Sequence, residues 1–480
     1  MEENGHFQRI QEICAPFEVN IEQLFQIKNQ ILDEIASNLE TKSEYQKPTN
    51  LKCFNTFLQD FPQGCEHGRS IVVNVEEENF RIHLYQMRGQ REPLVQSEFY
   101  EINSKLLEND ENELFVHIAN TLQMFLKKLQ LEREPLAVVF VFQFPLNNQN
   151  SERVNFTEYT KRFDFKNQNK DDIDVRKLLE SIIMTKCPRT QVVAVISQAT
   201  AVFCAATWKY PNCAIGVYLG SEDTSMAYKE KTGNFPSPNN PCPTKPFVAV
   251  HLDWGAFGDN GCLDHIRHEL DIKVDKLSPF PRKRIYEKMI CGQYVGELAR
   301  QIFLICTQQG FLFNGEIGKQ LITPFSFNTR HICEVLAESP GNFDNTRLMF
   351  DRLGVMKPTD SECSKVHFIL ECLAKRSAAL LAAGCACLVD KISEPDILIA
   401  IEGSFYGNCL IYQKFVSEYL RQLTGEGTRF QLKNVEDSVG LGAAVVAAIT
   451  EQQKFLYQAE KENESDALGT ETTETTGNEL

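Results

Sequence analysis

Between Leu252 and Arg267 the chain reads Leu-Asp-Trp-Gly-Ala-Phe-Gly-Asp-Asn-Gly-Cys-Leu-Asp-His-Ile-Arg. Two carboxylates, Asp253 and Asp259, stand either side of Trp254, which is one of 2 tryptophans, and Gly255, Gly258 and Gly261 follow in close order. Glycines let backbone turn with positive φ or approach a ligand closely. Carboxylates accept hydrogen bonds and an indole supplies an apolar wall, so the stretch suits a polyhydroxylated ligand such as a sugar. A tight loop capped by acidic side chains would have the same composition, and only the rest of the chain separates the two. His265 and His268 lie three apart on a predicted helix, but no second ligand pair accompanies them, and no metal is expected there.

Such residues need a frame. The chain has 480 residues, too many for one ordinary core, which implies two large domains or two lobes with a cleft. An apolar fraction of 42% is ample for burial. No stretch approaches the roughly 18 apolar residues of a membrane span. The opening residues lack the basic and apolar regions of a secretory signal. The 16 cysteines are scattered singly apart from Cys385-Ala-Cys387, which reads as reduced cytoplasmic thiols and not as a disulfide frame or zinc site. A net charge of −16 argues against nucleic acid or an anionic membrane as the main partner.

Periodicity predicts a long amphipathic helix over 20–40, then a polar linker over 42–68. Residues 70–85 alternate as two strands around Glu76-Glu77-Glu78. A helix over 113–129, a buried strand over 136–144, a helix over 174–185 and a strand over 191–196 running into a helix over 199–208 follow. The hairpin over 214–228, turning at Ser221-Glu222-Asp223, repeats the first in outline and suggests internal duplication. Helices over 282–309 and 361–392, a strand over 396–401 and a helix starting near Gly440 complete the frame. Beyond about residue 453 the chain is polar and acidic, a composition that cannot bury enough to fold.

With the elements in place, longer motifs stand out: Asp253-Trp-Gly-Ala-Phe-Gly-Asp259, Gly261-Cys-Leu-Asp264, Tyr286-Glu-Lys-Met-Ile-Cys-Gly292 and Gln309-Gly-Phe-Leu-Phe-Asn-Gly315. Together with Arg376-Ser-Ala-Ala and Leu388-Val-Asp-Lys391, they resemble the hexokinase family in its animal form, over about residues 20 to 452. The resemblance implies an α/β, two-lobed actin-like ATPase (ribonuclease H-like) fold that closes on a hexose and on ATP with magnesium. It divides the chain into an N-terminal helix and linker packing on the large lobe (1–67), a small lobe (68–198 with 438–453), a large lobe (199–437) and a disordered acidic tail (454–480).

Membership is not activity, because phosphoryl transfer needs a proton acceptor, donors around the phosphates and a bridging metal. The family's catalytic aspartate lies in an Asn-Asp-Thr triplet, which reads Ser197-Gln198-Ala199 here. Gln198 cannot accept a proton at neutral pH, and losing a general base costs about 10²–10⁴ in rate. The family's first phosphate loop, Asp-Leu-Gly-Gly-Thr-Asn, reads Asn74-Val-Glu-Glu-Glu-Asn79, so its magnesium-organising aspartate becomes Asn74 and its glycines become Glu76 and Glu77, with Glu78 at the threonine. The second loop reads Gly220-Ser-Glu-Asp-Thr224, adding Ser221, Glu222 and Asp223. Acids about 6 Å from a phosphate charge oppose it by roughly 0.7–2.8 kcal/mol each. Direct cation binding by these acids is the counter-reading. Gly403 and Ser404 match a further phosphate loop, and Gly440 and Gly442 survive in one that has lost a glycine, a hydroxyl and a lysine.

On the hexose side the resemblance assigns Thr160, Lys161, Ser197, Gln198, Thr224, Asp253 and Glu287, with Asp253 one methylene shorter than the family's glutamate. Gln143, Thr224 and Arg284 replace a serine, an asparagine and a glutamine. The expectation is a hexokinase-fold protein that has lost catalysis and acts by binding an unidentified protein partner or, weakly, a hexose. No cofactor and no metal are expected in that case. The alternative is a working enzyme that uses Mg-ATP to phosphorylate glucose or related hexoses at O6.

Overall fold

The computed structural model describes residues 2–39, 49–76, 78–103, 111–143, 146–148, 153–156, 174–234, 245–339, 341–355 and 357–471. Thr160, Lys161 and Glu77 lie outside these described residues.

The strands of the first half are β1 (Lys52–Asn55), β2 (His67–Val75), β3 (Asn79–Arg88), β4 (Arg91–Glu101), β5 (Leu136–Phe142), β6 (Leu146–Asn148), β7 (Val154–Phe156) and β8 (Thr190–Ser197). Those of the second half are β9 (Cys213–Leu219), β10 (Thr224–Lys231), β11 (Phe247–Asp253), β12 (Asp396–Glu402) and β13 (Arg429–Asn434). They form two main sheets. The smaller runs β4-β3-β2-β5-β8 and the larger β1-β11-β10-β9-β12-β13, beside a small β6-β7 ribbon. In each main sheet an antiparallel meander is extended on the far side of its first strand by two parallel strands (β5 and β8, or β12 and β13). The common plan is the duplication that the two hairpins suggest, within a two-lobed actin-like kinase fold. β1 is an addition: the segment read as a linker contributes an edge strand paired with β11.

Burial follows from the layers. Every residue of β5 (Leu-Ala-Val-Val-Phe-Val-Phe) is buried, because helices cover both faces of its sheet. The helices Glu111–Lys128 and Val175–Lys186 cover one face. The helices Gln198–Lys209 and Ser438–Glu471 fill the space between the sheets. These two approach so closely that a Cβ on Gly442 would lie 1.8 Å from the Ala201 carbonyl oxygen, so the position admits only glycine. The large-lobe core surrounds the Asp360–Ile392 helix, started by a Thr359–Glu362 capping box. That helix is long and apolar enough to cross a membrane by composition, contrary to the reading of the sequence, yet it is buried inside the protein. The N-terminal helix Ile21–Leu39 docks on the same core, with Lys28 Nζ donating to Asp390 (2.7 Å) and to the Leu423 carbonyl (2.9 Å).

Two boundaries differ from expectation. The helix predicted over 282–309 is broken into Ile285–Ile290 and Gly292–Gln308, with Cys291 extended at the joint. The last helix runs on to Glu471, so the tail read as unstructured from residue 454 is helical as far as that, in keeping with its Ala, Glu, Gln and Lys content.

Candidate functional site

The residues from Leu252 to Arg267 do form a glycine-rich turn at the end of β11, but its contacts are internal. Trp254 is fully buried, edge-on to Tyr286 at 5.5 Å, and lies against Gly384, where a Cβ would come within 1.9 Å of the indole. Its ring is therefore core and not a wall for a ligand, which corrects the first reading. Indole Nε1 donates to Thr224 Oγ1 at 3.2 Å, and that hydroxyl donates to the Tyr218 carbonyl at 2.9 Å. Asp259 accepts from the Ile285 amide at 3.0 Å and starts the Ile285–Ile290 helix. Burial raises its pKa. His268 caps the Glu269–Leu277 helix, accepting from the Leu270 amide at 3.3 Å.

The two carboxylates assigned to a hexose meet, and a guanidinium lies between them. Arg284 donates to Asp253 through Nη1 (3.1 Å) and Nη2 (3.0 Å). It donates to Glu287 through Nε (2.9 and 3.0 Å) and Nη2 (2.6 Å). All three side chains are almost fully buried. Burial opposes the charge on Arg284, but Asp253 and Glu287 overcome it and hold its pKa well above the usual value. The close approach that glycine permits is made by this side chain: a Cβ on Gly255 would lie 2.4 Å from Nη2 of Arg284. Arg284 has φ 57 and immediately precedes the helix carrying Glu287, which aims its fork back at β11. Glu287 is also 3.4 Å from the Thr224 amide.

At the base position, Gln198 opens the Gln198–Lys209 helix at 2% exposure, and its Oε1 has no hydrogen-bond partner. The preceding Ser197 caps this helix, with its hydroxyl 2.9 Å from Thr200 Oγ1. Neither side chain could take a proton from a sugar hydroxyl at neutral pH.

The turns assigned to phosphate carry acids and close on the protein's own groups. Asn74 Nδ2 donates to Glu76 at 3.2 Å, while its Oδ1 has no partner. The Glu78 carbonyl and Asn79 belong to the β-ladder, accepting from Ile102 and pairing with Glu101 respectively. In the second turn the Gly220 amide bonds the Asp223 carbonyl (2.9 Å), and the Ser221 carbonyl accepts from Gln293 (3.0 Å). Gln143, after β5 of the small sheet, donates to Asp223 Oδ1 at 2.9 Å, joining one lobe to the other.

Glu402, at the end of β12, accepts from the Ser438 amide (3.1 Å) and its hydroxyl, capping the last helix. A helix N-terminus is a natural anion site, and here a carboxylate of the chain occupies it. Burial, helped by Asp437, raises Glu402 to a pKa of about 7 against the pull of the Ser438 donors. Gly403 packs on the Leu219 carbonyl and Gly440 on Tyr85 Oη, so both serve packing. Ser404 begins the short Ser404–Gly407 helix.

Asn74, Glu76, Gln198, Tyr218, Glu402 and Asp437 share the walls of a cavity of about 560 Å³. In the sequence Arg284 stands out only as a replacement for the glutamine of the family. Its partners became visible when the fold brought Asp253 and Glu287 onto it. Neither the Gln143–Asp223 bridge nor the part of Tyr218 had a signal in the chain.

Comparison with known proteins agrees with this architecture. Family models described as hexokinase match residues 9–208 and 214–449. A hexokinase of Schistosoma mansoni is 28% identical over 451 residues, covering 93% of this chain and 98% of that protein. Human hexokinase-1 is also 28% identical over 451 residues, but the chain spans only 48% of its length. The solved structure of the Schistosoma mansoni hexokinase complexed with glucose superposes with a TM-score of 0.84 at 27% identity, covering 93% of this chain and 99% of that one.

Proposed function

From the premise that the chain belongs to the hexokinase family, we propose that it has lost phosphoryl transfer and acts by binding, as a pseudoenzyme. The observation that carries this reading is Arg284, paired with both Asp253 and Glu287 in a buried site. A hexose would have to displace it, exchanging charge-assisted hydrogen bonds already made for new ones. Gln198 supports the same reading because it offers no general base. The acids of the phosphate region support it too: Glu76, Glu402 and Asp437 line the cavity where phosphate would lie, which makes a poor fit for Mg-ATP.

The binding role is to a protein partner or, weakly, to a hexose. A relative solved with glucose is what supports a hexose in this place. Cytoplasmic residence belongs to the same reading, supported by a sequence whose cysteines are scattered singly apart from Cys385-Ala-Cys387.

A second reading, an active hexokinase acting at O6 of glucose with Mg-ATP, is favoured by one observation. The carboxylate pair Asp253 and Glu287 is kept, and a guanidinium that swings out would expose it. Calorimetric titration of the full chain with glucose and, separately, with Mg-ATP tests the choice. The pseudoenzyme reading expects at most millimolar glucose affinity and no Mg-ATP signal. Micromolar binding of both would overturn it.

A further inference from the structure

We propose that the cavity bounded by β2, β3, β4 and the start of the Ser438–Glu471 helix binds a small organic cation bearing several N–H donors, of the alkyl diamine or guanidino class. The inference rests on the reading that this cleft no longer takes a triphosphate. It begins with the charge on the walls. Glu76 is half-buried there and Asp437 stands at the rim, and among the described residues neither has a cationic ion-pair partner, while Glu402 shares the wall but is engaged in capping the Ser438–Glu471 helix. Glu98, also on the wall, is already held by Lys128 (2.7 Å) and Tyr100 (2.6 Å). Facing them is Arg81, whose guanidinium lies 5.9 Å from the Phe99 ring. His83 adds no charge: burial and Arg81 lower its pKa to about 4, and its Nδ1 meets Ser97 Oγ at 2.6 Å.

Acids alone would not identify a ligand. The independent observation is a pair of amide oxygens on the same walls. Gln198 Oε1 and Asn74 Oδ1 are buried, with residue exposures of 2% and 7%, and neither has a hydrogen-bond partner. The bond from Asn74 Nδ2 to Glu76 fixes Oδ1 as the amide atom left unpaired. Buried polar atoms are costly unless paired, and both atoms can only accept. What would satisfy them is a donor, which a phosphate oxygen is not.

The spread of the acceptors narrows the class. No three acidic, histidine or cysteine side chains among the described residues converge as metal ligands, whereas magnesium requires near-octahedral oxygen at short range. An elongated cation with separated N–H groups can instead meet amide oxygens and carboxylates along the same walls. Tyr85, Tyr218 and Phe99 line the same space, and aromatic faces attract an organic cation. The cavity volume of about 560 Å³ admits such a molecule.

The test is calorimetric titration of the full chain with agmatine and, in a second arm, with Mg-ATP. Agmatine should bind saturably, weaken as salt rises, and weaken at least tenfold in Glu76→Gln and in Asp437→Asn. Gln198→Leu, which keeps the net charge, should weaken it as well. Thermal melts of the three variants confirm that each is folded. If agmatine fails to bind, or binds equally to wild type and to all folded variants, the inference is wrong while the loss of catalysis stands. If Mg-ATP binds and displaces agmatine, the reading beneath the inference falls with it.

Discussion

Replacing Arg284 by glutamine, the residue that the family resemblance places there, should convert a self-filled pocket into one that takes a hexose. In the wild type five contacts of 2.6–3.1 Å join the guanidinium to the two carboxylates. Removing one partner of such a buried network typically costs about 3–5 kcal/mol, because charge is left uncompensated. The remaining carboxylates would repel one another, as like charges sharing a site do. Unliganded Arg284→Gln should therefore melt below wild type. A hexose can restore much of that loss, since each hydroxyl donating to a carboxylate contributes about 1.5–3 kcal/mol. At a glucose concentration about one hundred times Kd, the recovery should be near 2.7 kcal/mol. The left-handed backbone at φ 57 burdens glutamine no more than arginine, so the effect isolates the side chain. Thermal melts of both proteins with and without glucose, checked by calorimetry, read this directly. The expected pattern is a small or absent shift in wild type and a shift of several degrees in the variant. If wild type gains as much from glucose as the variant, or if the folded variant gains nothing, Arg284 is not what closes the pocket.

The remaining predictions concern the nucleotide side. Gln198→Asp should leave the protein inactive and unresponsive to Mg-ATP by calorimetry, because Glu76, Glu402 and Asp437 still line the cavity. Saturable ATP-dependent turnover from that single change would show that the acids do not lie in the phosphate path. Glu402 has a folded pKa of about 7, raised above the ordinary carboxylate value, so the native state binds more protons than the unfolded one between about pH 4.5 and 7. Stability contributed by this group is thus lost as pH rises through that window. Glu402→Gln should be more stable than wild type at pH 8 by about 1–3 kcal/mol, allowing for its partial exposure, with little difference near pH 4.5. Urea titrations at the two pH values give the comparison, and equal differences at both would refute the assignment.

Much of this was legible in the chain, and the gaps have physical causes. The paired hairpins around Glu76–Glu78 and Ser221–Asp223 showed as apolar strands about polar turns, because β2, β9 and β10 are buried in continuous runs and β3 alternates between core and margin. β4 and β13 did not show: they are edge strands whose residues are mostly exposed or alternate at the margin, without an apolar run. The break at Cys291 was hidden because Gly292–Gln308 carries the same buried face onward, and only the close contact of Gly292 with Thr329 marks the joint. In the site, the absence of a base at Gln198 could be read from one position. The closure of the sugar carboxylates could not, since Asp253 and Arg284 are 31 residues apart and meet only through the β11 turn and the helix after it.

The central claim is most directly tested by a coupled assay for hexose 6-phosphate with the purified chain, Mg-ATP and saturating glucose, fructose or mannose. With Gln198 in place of a base and Arg284 in place of the sugar, the account predicts no product above the enzyme-free control. Turnover on the order of 1–100 s⁻¹, the usual range of kinases, would contradict it.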